Sequence, residues 1–408
     1  MTITPFGMLP LINPVPRAGP FDHPDWLFEA KFDGFRAAAD TVRRRLISRK
    51  GNRMRRFEVV LDLLPGGVVL DGEVVVHPNT RIRIKPSYFG EVGQGSISMK
   101  FGLHNSSWLD RPHPADAFEA VKAKAQWAES HGFVWFSVLD HMIQIPRVGE
   151  PDEPFIEGWT ALAALATVTT RIRLATLCTA VGYRNPAHLA KIASSVDVIS
   201  RGRLTLGIGA GFFEDEYRQY GWEFPPRPAT RIQQMEEAVR LIVKMWTERR
   251  TTFHGRYFHV EDAILEPKPI QKPRPPILIA GGGEQMTLRA VARLGDACNI
   301  VDGDLAEVRH KLTVLRRHCD EADRDYDTIE KTRIEPWLIA RDPIALNARR
   351  DRLATSGPLR GFVGTVSEAI DLVGQYQEVG IDLLINADRR QDEESREIFA
   401  SHVMPHFA

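Results

Sequence analysis

The chain has 408 residues, of which 43% are hydrophobic and 26% charged, a composition typical of soluble globular proteins. Its 53 basic residues balance 53 acidic ones, so no net field favours nucleic acid, and we expect no nucleic-acid partner. The 3 cysteines are too few and too widely spaced to indicate a disulfide framework, and no metal-ligand cluster is apparent. The sequence has no apolar run long enough to cross a bilayer and no secretory signal pattern, so we expect no membrane association and a cytoplasmic location.

The first part of the chain, residues 1–77, is predicted to combine short strands with one helix. Apolar alternation predicts strands in WLFEAKFDGFRAAAD, RRLISRKG and GVVLDGEVVV, and RRFEVVLDLLP predicts the helix. Residues 78–98 lose this periodicity and gain glycine, proline and serine. They are therefore predicted to be a linker.

From residue 99 to the end, short apolar runs alternate with amphipathic segments of helical length. Short buried strands that alternate with helices pair in parallel through right-handed crossovers. Eight such strands in roughly 300 residues predict a closed α/β barrel of the TIM type. A long insertion follows the fourth strand, where this architecture builds active sites. The candidate strands are KFGLHN, FVWFSVLD, IRLATLCTA, RLTLGIGA, PILIAGG, ACNIV, RIEPWLIA and IDLLIN.

Three consecutive glycines, Gly281, Gly282 and Gly283, follow the predicted fifth strand and run into a predicted helix. Glycines let backbone N–H groups approach a phosphate closely, and a helix N-terminus adds unpaired donors. The pattern favours a phosphate site over a tight turn without a ligand.

The predicted fourth strand also ends in glycines, Gly207, Gly209 and Gly211. The spacing is similar to a dinucleotide fingerprint, but the third glycine comes too early and no helix opens directly after it, so a Rossmann fold is rejected. Close approach of a flat ring and simple narrowing of the barrel both remain open as explanations.

Asp140 and His141 lie at the carboxyl end of the predicted second strand, in WFSVLDHM. A histidine beside an aspartate at the mouth of a barrel is a candidate proton carrier. The alternative is that the histidine has only a structural hydrogen-bonding role.

Four segments of this region resemble the luciferase-like monooxygenase superfamily, and in particular its branch that uses the deazaflavin coenzyme F420. They are KFGLHN, WFSVLDHM, the segment from Arg171 to Tyr217, and LEPKPIQKPRPPILIAGGGE. The resemblance implies a TIM barrel over residues 99–408, a homodimer, and a coenzyme ring at the carboxyl ends of the strands.

The same resemblance implies roles for individual residues. The ring would rest on a bulge, often with a non-prolyl cis peptide, and a glycine-rich segment would flank it. Asp140 and His141 would be the catalytic residues beside the ring. The residues implied to bind the coenzyme are Thr176, Leu177, Cys178, Gly209, Ala210 and Gly211 at the ring, and Gly281, Gly282 and Gly283 at the phosphate.

This resemblance implies an oxidoreductase that transfers a hydride to or from a small organic substrate with F420. An FMN-dependent monooxygenase is the alternative. Sugar-phosphate dehydrogenases of the family carry an acid directly after the fourth-strand glycines, where this chain has Phe212. Oxidation of a sugar phosphate is therefore not expected.

The N-terminal segments EAKFDGFR, SRKGN and LDGEVVV resemble, in order and spacing, the adenylation domain of ATP-dependent DNA ligases. This implies a partial α+β nucleotidyltransferase-like fragment in which Lys31 would attack the α-phosphate of ATP. The family's later motifs are absent before residue 99, so we expect no DNA sealing, although ATP binding stays open. The residues implied to contact the nucleotide are Glu29, Lys31, Asp33, Arg36, Arg49 and Glu73.

Overall fold

The computed structural model describes residues 35–40, 45–48, 69–76, 82–90, 99–108, 113–301, 303–354, 359–388 and 392–407. The chain divides into two compact units, residues 1–96 and 97–408, which are described separately. Within the described ranges, no helix is both long enough and apolar enough to cross a membrane.

The first unit contains a four-stranded antiparallel sheet in the order β2-β1-β3-β4. Three of its strands lie in predicted strand segments. The fourth lies in the segment predicted to be a linker, so the linker prediction is wrong for the residues of this strand. The missed signal is the alternation of apolar and charged residues in IRIK, and Pro86 lies beside a bulge in the pairing, where proline is tolerated. The strands are β1 (Phe35–Asp40), β2 (Arg45–Ser48), β3 (Val69–Val76) and β4 (Ile82–Gly90).

The nucleotide site implied for this unit is described only in part. Arg36 and Glu73 stand opposite each other in the pairing of β1 with β3. Glu29, Lys31, Asp33 and Arg49, and the predicted helix at 55–65, lie outside the described residues.

The second unit contains a closed barrel of eight parallel strands, as predicted. Neighbouring strands pair in chain order, and pairing of the eighth strand with the first closes the cylinder. The barrel strands are β5 (Lys100–Asn105), β6 (Trp135–Val138), β7 (Arg173–Thr176), β9 (Leu204–Gly209), β12 (Ile277–Ala280), β13 (Ala297–Ile300), β14 (Glu330–Glu335) and β17 (Leu383–Ala387).

The predicted seventh strand, RIEPWLIA, is two strands. Strand β14 ends at Glu335, and Pro336, which has no N–H to donate, interrupts the ladder. Residues Trp337–Ala340 then pair with Phe362–Thr365 in a separate two-stranded sheet outside the barrel. Strand β8 (Thr179–Ala180) lies just after β7 in the chain and, like β7, pairs with β9 in the barrel sheet. The strands outside the barrel in this unit are β10 (Thr251–His254), β11 (His259–Ala263), β15 (Trp337–Ala340) and β16 (Phe362–Thr365).

Helices follow the barrel strands, in the region where the sequence predicts amphipathic segments of helical length. Local signals set their ends: Asn185 caps the helix that opens at Pro186, and Thr365 with Glu368 forms a capping box on a later helix. The helices are α1 (Ala117–Ser130), α2 (Gly158–Val168), α3 (Pro186–Ile199), α4 (Glu214–Gln219), α5 (Pro228–Thr247), α6 (Thr287–Leu294), α7 (Leu305–Glu321), α8 (Pro343–Ala354), α9 (Val366–Val379) and α10 (Glu393–Ile398).

The barrel interior is filled toward the amino ends of the strands. Trp135 is fully buried there and packs with small and aliphatic side chains from other strands. Below it, the Glu330 carboxylate accepts hydrogen bonds from Arg173 at 2.9 Å and from Lys100 at 3.0 Å, and the Arg173 guanidinium lies 5.1 Å from the centre of the Trp135 ring. This cluster fills the lower end of the described barrel, and the open space in the barrel lies toward the carboxyl ends.

Strand packing at Gly207 gives a stability prediction. A Cβ atom there would overlap the carbonyl oxygen of Thr176, because β7 and β9 approach closely. Gly207→Ala should lower the free energy of unfolding by about 1–3 kcal/mol. The matched control is Gly374→Ala inside α9, where the nearest atom would be 4.0 Å away and helix propensity should raise stability by about 0.5–1 kcal/mol. Thermal unfolding of both variants measures this, and equal midpoints would contradict the packing argument.

Candidate active site

A cavity of about 880 Å³ opens at the carboxyl ends of the barrel strands. Every barrel strand, or the residues directly after it, contributes to its wall, as expected for a TIM barrel. The contributing residues, in chain order, are His104, Leu139, His141, Leu177, Cys178, Gly211, Ala280, Asn299, Arg333, Ile334, Glu335, Ala387 and Asp388.

His141 lies on this wall and is held from behind by a buried carboxylate. Its Nδ1 lies 2.9 Å from Oε2 of Glu216, a residue of α4 that is 0% exposed. The hydroxyl of Tyr183 donates to the same carboxylate oxygen and lies 3.0 Å from the His141 Nδ1. With Nδ1 engaged in this way, Nε2 is the ring nitrogen left for a ligand.

The electrostatics of this group keep Glu216 ionised. Burial favours the protonated acid, but hydrogen bonds from His141, Tyr183 and the Met142 amide hold the pKa of Glu216 below its usual range. Burial and the neighbouring Glu216 charge raise the pKa of Tyr183, so its hydroxyl keeps its proton and donates.

Asp140, predicted as catalytic, is not on the cavity wall. It is 0% exposed and accepts two hydrogen bonds from Arg184, at 2.7 and 2.9 Å, and one from the Thr179 hydroxyl. Burial raises the pKa of Asp140 to about 6 against the opposing effect of Arg184, so the carboxylate is ionised at neutral pH. The Arg184 guanidinium also binds Glu157, at the start of α2. Asp140 therefore ties loops together behind the cavity wall, and its catalytic role stays a prediction.

The predicted bulge after β7 is present. The peptide bond between Leu177 and Cys178 is cis, where the resemblance implied one, and both residues line the cavity. The Thr176 hydroxyl donates to the Gly207 carbonyl at 2.9 Å, and Thr176 does not line the cavity. Burial raises the pKa of the Cys178 thiol to about 12, so it stays protonated and is not a nucleophile.

The glycines after β9 allow close packing beside this bulge. A Cβ at Gly209 would lie 2.8 Å from the Cys178 sulfur, and Gly211 has a φ of +82°. Gly211 lines the cavity, whereas Gly209 and Ala210 lie just behind it.

The glycine triplet lies just past Ala280, the residue that lines the cavity at the end of β12. It does not run directly into a helix as predicted, because a turn intervenes and α6 begins at Thr287. The Lys311 side chain from α7 reaches the triplet, since its Nζ would be 2.9 Å from a Cβ at Gly282. Lys311 also pairs with Glu307 at 2.7 Å. The positively charged Lys311 side chain thus lies close to the backbone N–H groups of this turn.

His104, which sequence reasoning missed, ends β5 on the cavity wall. Its Nδ1 lies 2.9 Å from the Ser137 hydroxyl. Burial, the charge of Lys124 and the neighbouring His141 lower the pKa of His104 to about 3, so the ring is neutral. Lys124 is itself buried and binds Asn105 at 2.9 Å and Asp388 at 2.7 Å.

Asn299 at the end of β13 was also missed. The Thr332 hydroxyl donates to the Cys298 carbonyl at 2.9 Å, so its oxygen must accept from Asn299, whose Nδ2 lies 2.8 Å away. This fixes the orientation of the amide. Oδ1 is then a buried acceptor on the cavity wall with no hydrogen-bond partner among the described residues.

These omissions have different causes. His104 and Asn299 are polar residues at the carboxyl ends of predicted strands, and that rule alone could have identified both. Tyr183, Glu216 and Lys311 lie in loops and helices, where no local signal indicates which strand end they reach.

Comparison with known proteins matches residues 99–363 to the luciferase-like monooxygenase family. The chain belongs to this family. An uncharacterised protein of Mycobacterium tuberculosis is 32% identical to the luciferase-like region over 269 residues, which are 63% of this chain and 90% of the relative.

Two further comparisons bear on the luciferase-like barrel. An F420-dependent glucose-6-phosphate dehydrogenase of Segniliparus rotundus is 29% identical over 271 residues, 62% of this chain and 77% of the relative. Among solved structures, an F420-dependent secondary alcohol dehydrogenase in complex with an F420–acetone adduct superposes with a TM-score of 0.65 at 21% identity. That match covers 76% of this chain and 99% of the other and shows a shared fold.

The neutral state of His104 predicts a pH dependence of stability. Its pKa is about 3 in the folded protein and about 6.5 when unfolded, so between these values the unfolded chain binds more protons. Stability contributed by His104 is therefore present above about pH 6.5 and is lost as the pH falls toward 3. His104→Gln should flatten the plot of unfolding free energy against pH in this window, measured by denaturant titration. His188→Gln, at an exposed histidine, is the control, and a slope unchanged in His104→Gln would contradict the assignment.

Proposed function

We propose that the protein is an oxidoreductase that uses F420 to transfer a hydride to or from a small organic substrate. The observation that carries this proposal is a cavity at the barrel mouth with His141, backed by Glu216, facing the bulge at Leu177 and Cys178. The sequence similarity to F420-dependent dehydrogenases supports the choice of coenzyme.

The residues present fit such a coenzyme. A volume of about 880 Å³ lies within the roughly 300–1,000 Å³ typical of ligand sites and can hold a tricyclic ring with a small substrate. The glycines at the ends of β9 and β12 lie so close to neighbouring atoms that larger side chains would collide with them, and their lack of a side chain keeps the backbone open to a ligand. The Gly282 backbone and Lys311 would hold a phosphate, and the unsatisfied Oδ1 of Asn299 would accept from a ring N–H or a hydroxyl.

When bound, a deazaflavin supplies hydride transfer, whereas FMN would also supply reaction with oxygen. The protein orients the substrate, excludes water and manages the proton. His141 is the group we assign to the proton, because its Nε2 can accept from a substrate hydroxyl or donate to a carbonyl oxygen. His104 is held neutral and provides a second polar contact on the same wall.

The composition of the cavity wall beside His141 also favours a substrate that carries no charged sugar-phosphate group at this position. Phe212, which is 65% exposed and lines the cavity, lies edge-on to the His141 ring with centroids 5.8 Å apart. An apolar ring at this position favours an uncharged alcohol, carbonyl or alkene.

The FMN-dependent monooxygenase remains the second candidate, favoured by the description of the family to which the chain belongs. The homodimer and the small-molecule partner stay predictions. ATP is not part of this proposal, because Lys31 lies outside the described residues.

Coenzyme titration tests the proposal. The protein should quench the fluorescence of F420 on binding, and it should bind FMN more weakly. Lys311→Gln should weaken binding of F420 about tenfold, the value of one charge-assisted contact, and should leave binding of the deazaflavin riboside that lacks phosphate unchanged. Tight FMN binding without F420 binding would overturn the coenzyme choice, and equal loss for both deazaflavins would contradict a phosphate site at Lys311.

Replacement of His141 separates binding from chemistry. His141→Asn should lower kcat for F420-coupled alcohol or carbonyl turnover about 10²–10⁴-fold, because the proton acceptor is lost, and should leave the Kd of F420 nearly unchanged. The assay is the absorbance change of F420 under saturating substrate. As a comparison, His188→Asn at the exposed site should retain full turnover, and a His141→Asn enzyme of normal kcat would remove His141 from the mechanism.

A further inference from the structure

The carboxylate of Glu216 accepts hydrogen bonds from four donors. It lies beside the cavity but is not part of the cavity wall. Its Oε2 contacts the His141 Nδ1 at 2.9 Å and the Tyr183 hydroxyl. Its Oε1 accepts from the backbone amide of Met142 and, at 3.3 Å, from that of Ile143. The same group therefore fixes the backbone directly after His141 and one nitrogen of its ring.

This arrangement requires a proton both on Nδ1 of His141 and on the Tyr183 hydroxyl. An ionised carboxylate has no proton to give, so the two groups at Oε2 must both donate. If Tyr183 instead donated to Nδ1, the lone pairs of Nδ1 and Oε2 would face each other across 2.9 Å without a proton between them. That contact would be repulsive.

We propose that Glu216 is a positioning residue that holds neutral His141 in the tautomer protonated on Nδ1, leaving Nε2 as the basic nitrogen for the ligand. The catalytic consequence rests on the proposed function. The tautomer itself does not, because all four contacts exist within the protein.

Glu216→Gln should invert this tautomer. The amides of Met142 and Ile143 require an oxygen acceptor, so the glutamine oxygen takes the place of Oε1. Its NH₂ group then faces His141, and Nδ1 must accept instead of donate. The ring proton moves to Nε2, which would no longer act as a base.

The direct test is two-bond ¹H–¹⁵N correlation spectroscopy of the full chain labelled with ¹⁵N-histidine, without coenzyme. The His141 signal is assigned by its loss in His141→Asn. The wild type should show a protonated Nδ1 and an unprotonated Nε2, Glu216→Gln should show the reverse, and Tyr183→Phe, which removes a donor but keeps the carboxylate, should retain the wild-type pattern. A wild type protonated on Nε2 overturns the proposal whether or not any variant folds, as does an unchanged pattern in Glu216→Gln.

Turnover then tests the link to the reaction. With F420 and substrate, Glu216→Gln should lower kcat about 10²-fold, within the range for loss of a general base, and should change the Kd of F420 less than about twofold. An inverted tautomer with undiminished kcat would overturn the positioning role. If the spectra agree with expectation but the wild type does not turn over with F420, the tautomer assignment stands and the proposed function fails.

Discussion

Pairing of the last barrel strand, β17, with the first, β5, closes the parallel sheet into a cylinder, and the site depends on this closure. In a closed parallel barrel all carboxyl ends of the strands lie on one rim. His104, His141 and Asn299 therefore reach the same cavity although almost two hundred residues separate the first from the last. An open sheet would leave its first and last strands apart and could not bring these side chains together.

Carboxylates that accept successive backbone N–H groups hold the loops of this barrel in place. Each group satisfies amides that regular secondary structure does not, at positions where an unpaired donor would be costly. Glu216 differs from the others because it also binds a side chain of the cavity wall, that of His141. One residue therefore both anchors a loop and sets the position of the proton on the His141 ring. The other anchors are Glu129 to the amides of Thr170, Arg171 and Ile172, Asp197 to those of Ile270 and Gln271, and Glu237 to those of Arg256, Tyr257 and Phe258.

Periodicity predicted the barrel, because parallel strands buried on both faces form continuous apolar runs separated by amphipathic helices. It did not show that two strands of different sheets lie on either side of Pro336, because the first of them, EKTRIE, is rich in charged residues and has no apolar run of its own. At the site, adjacency to a strand end indicated His141 correctly as a cavity residue. The same rule also selected Asp140, which lies behind the wall because its side chain points toward Arg184, and its catalytic role stays a prediction. Tyr183 and Glu216 reach His141 only through the fold.

The ion cluster of Arg173, Lys100 and Glu330 beneath Trp135 has a kinetic consequence. Because this cluster fills the lower end of the described barrel, the coenzyme and substrate of the proposed reaction would both enter over the upper rim. The molecule that sits deeper would then arrive first and depart last, so depth in the cavity rather than relative affinity would set the order of exchange.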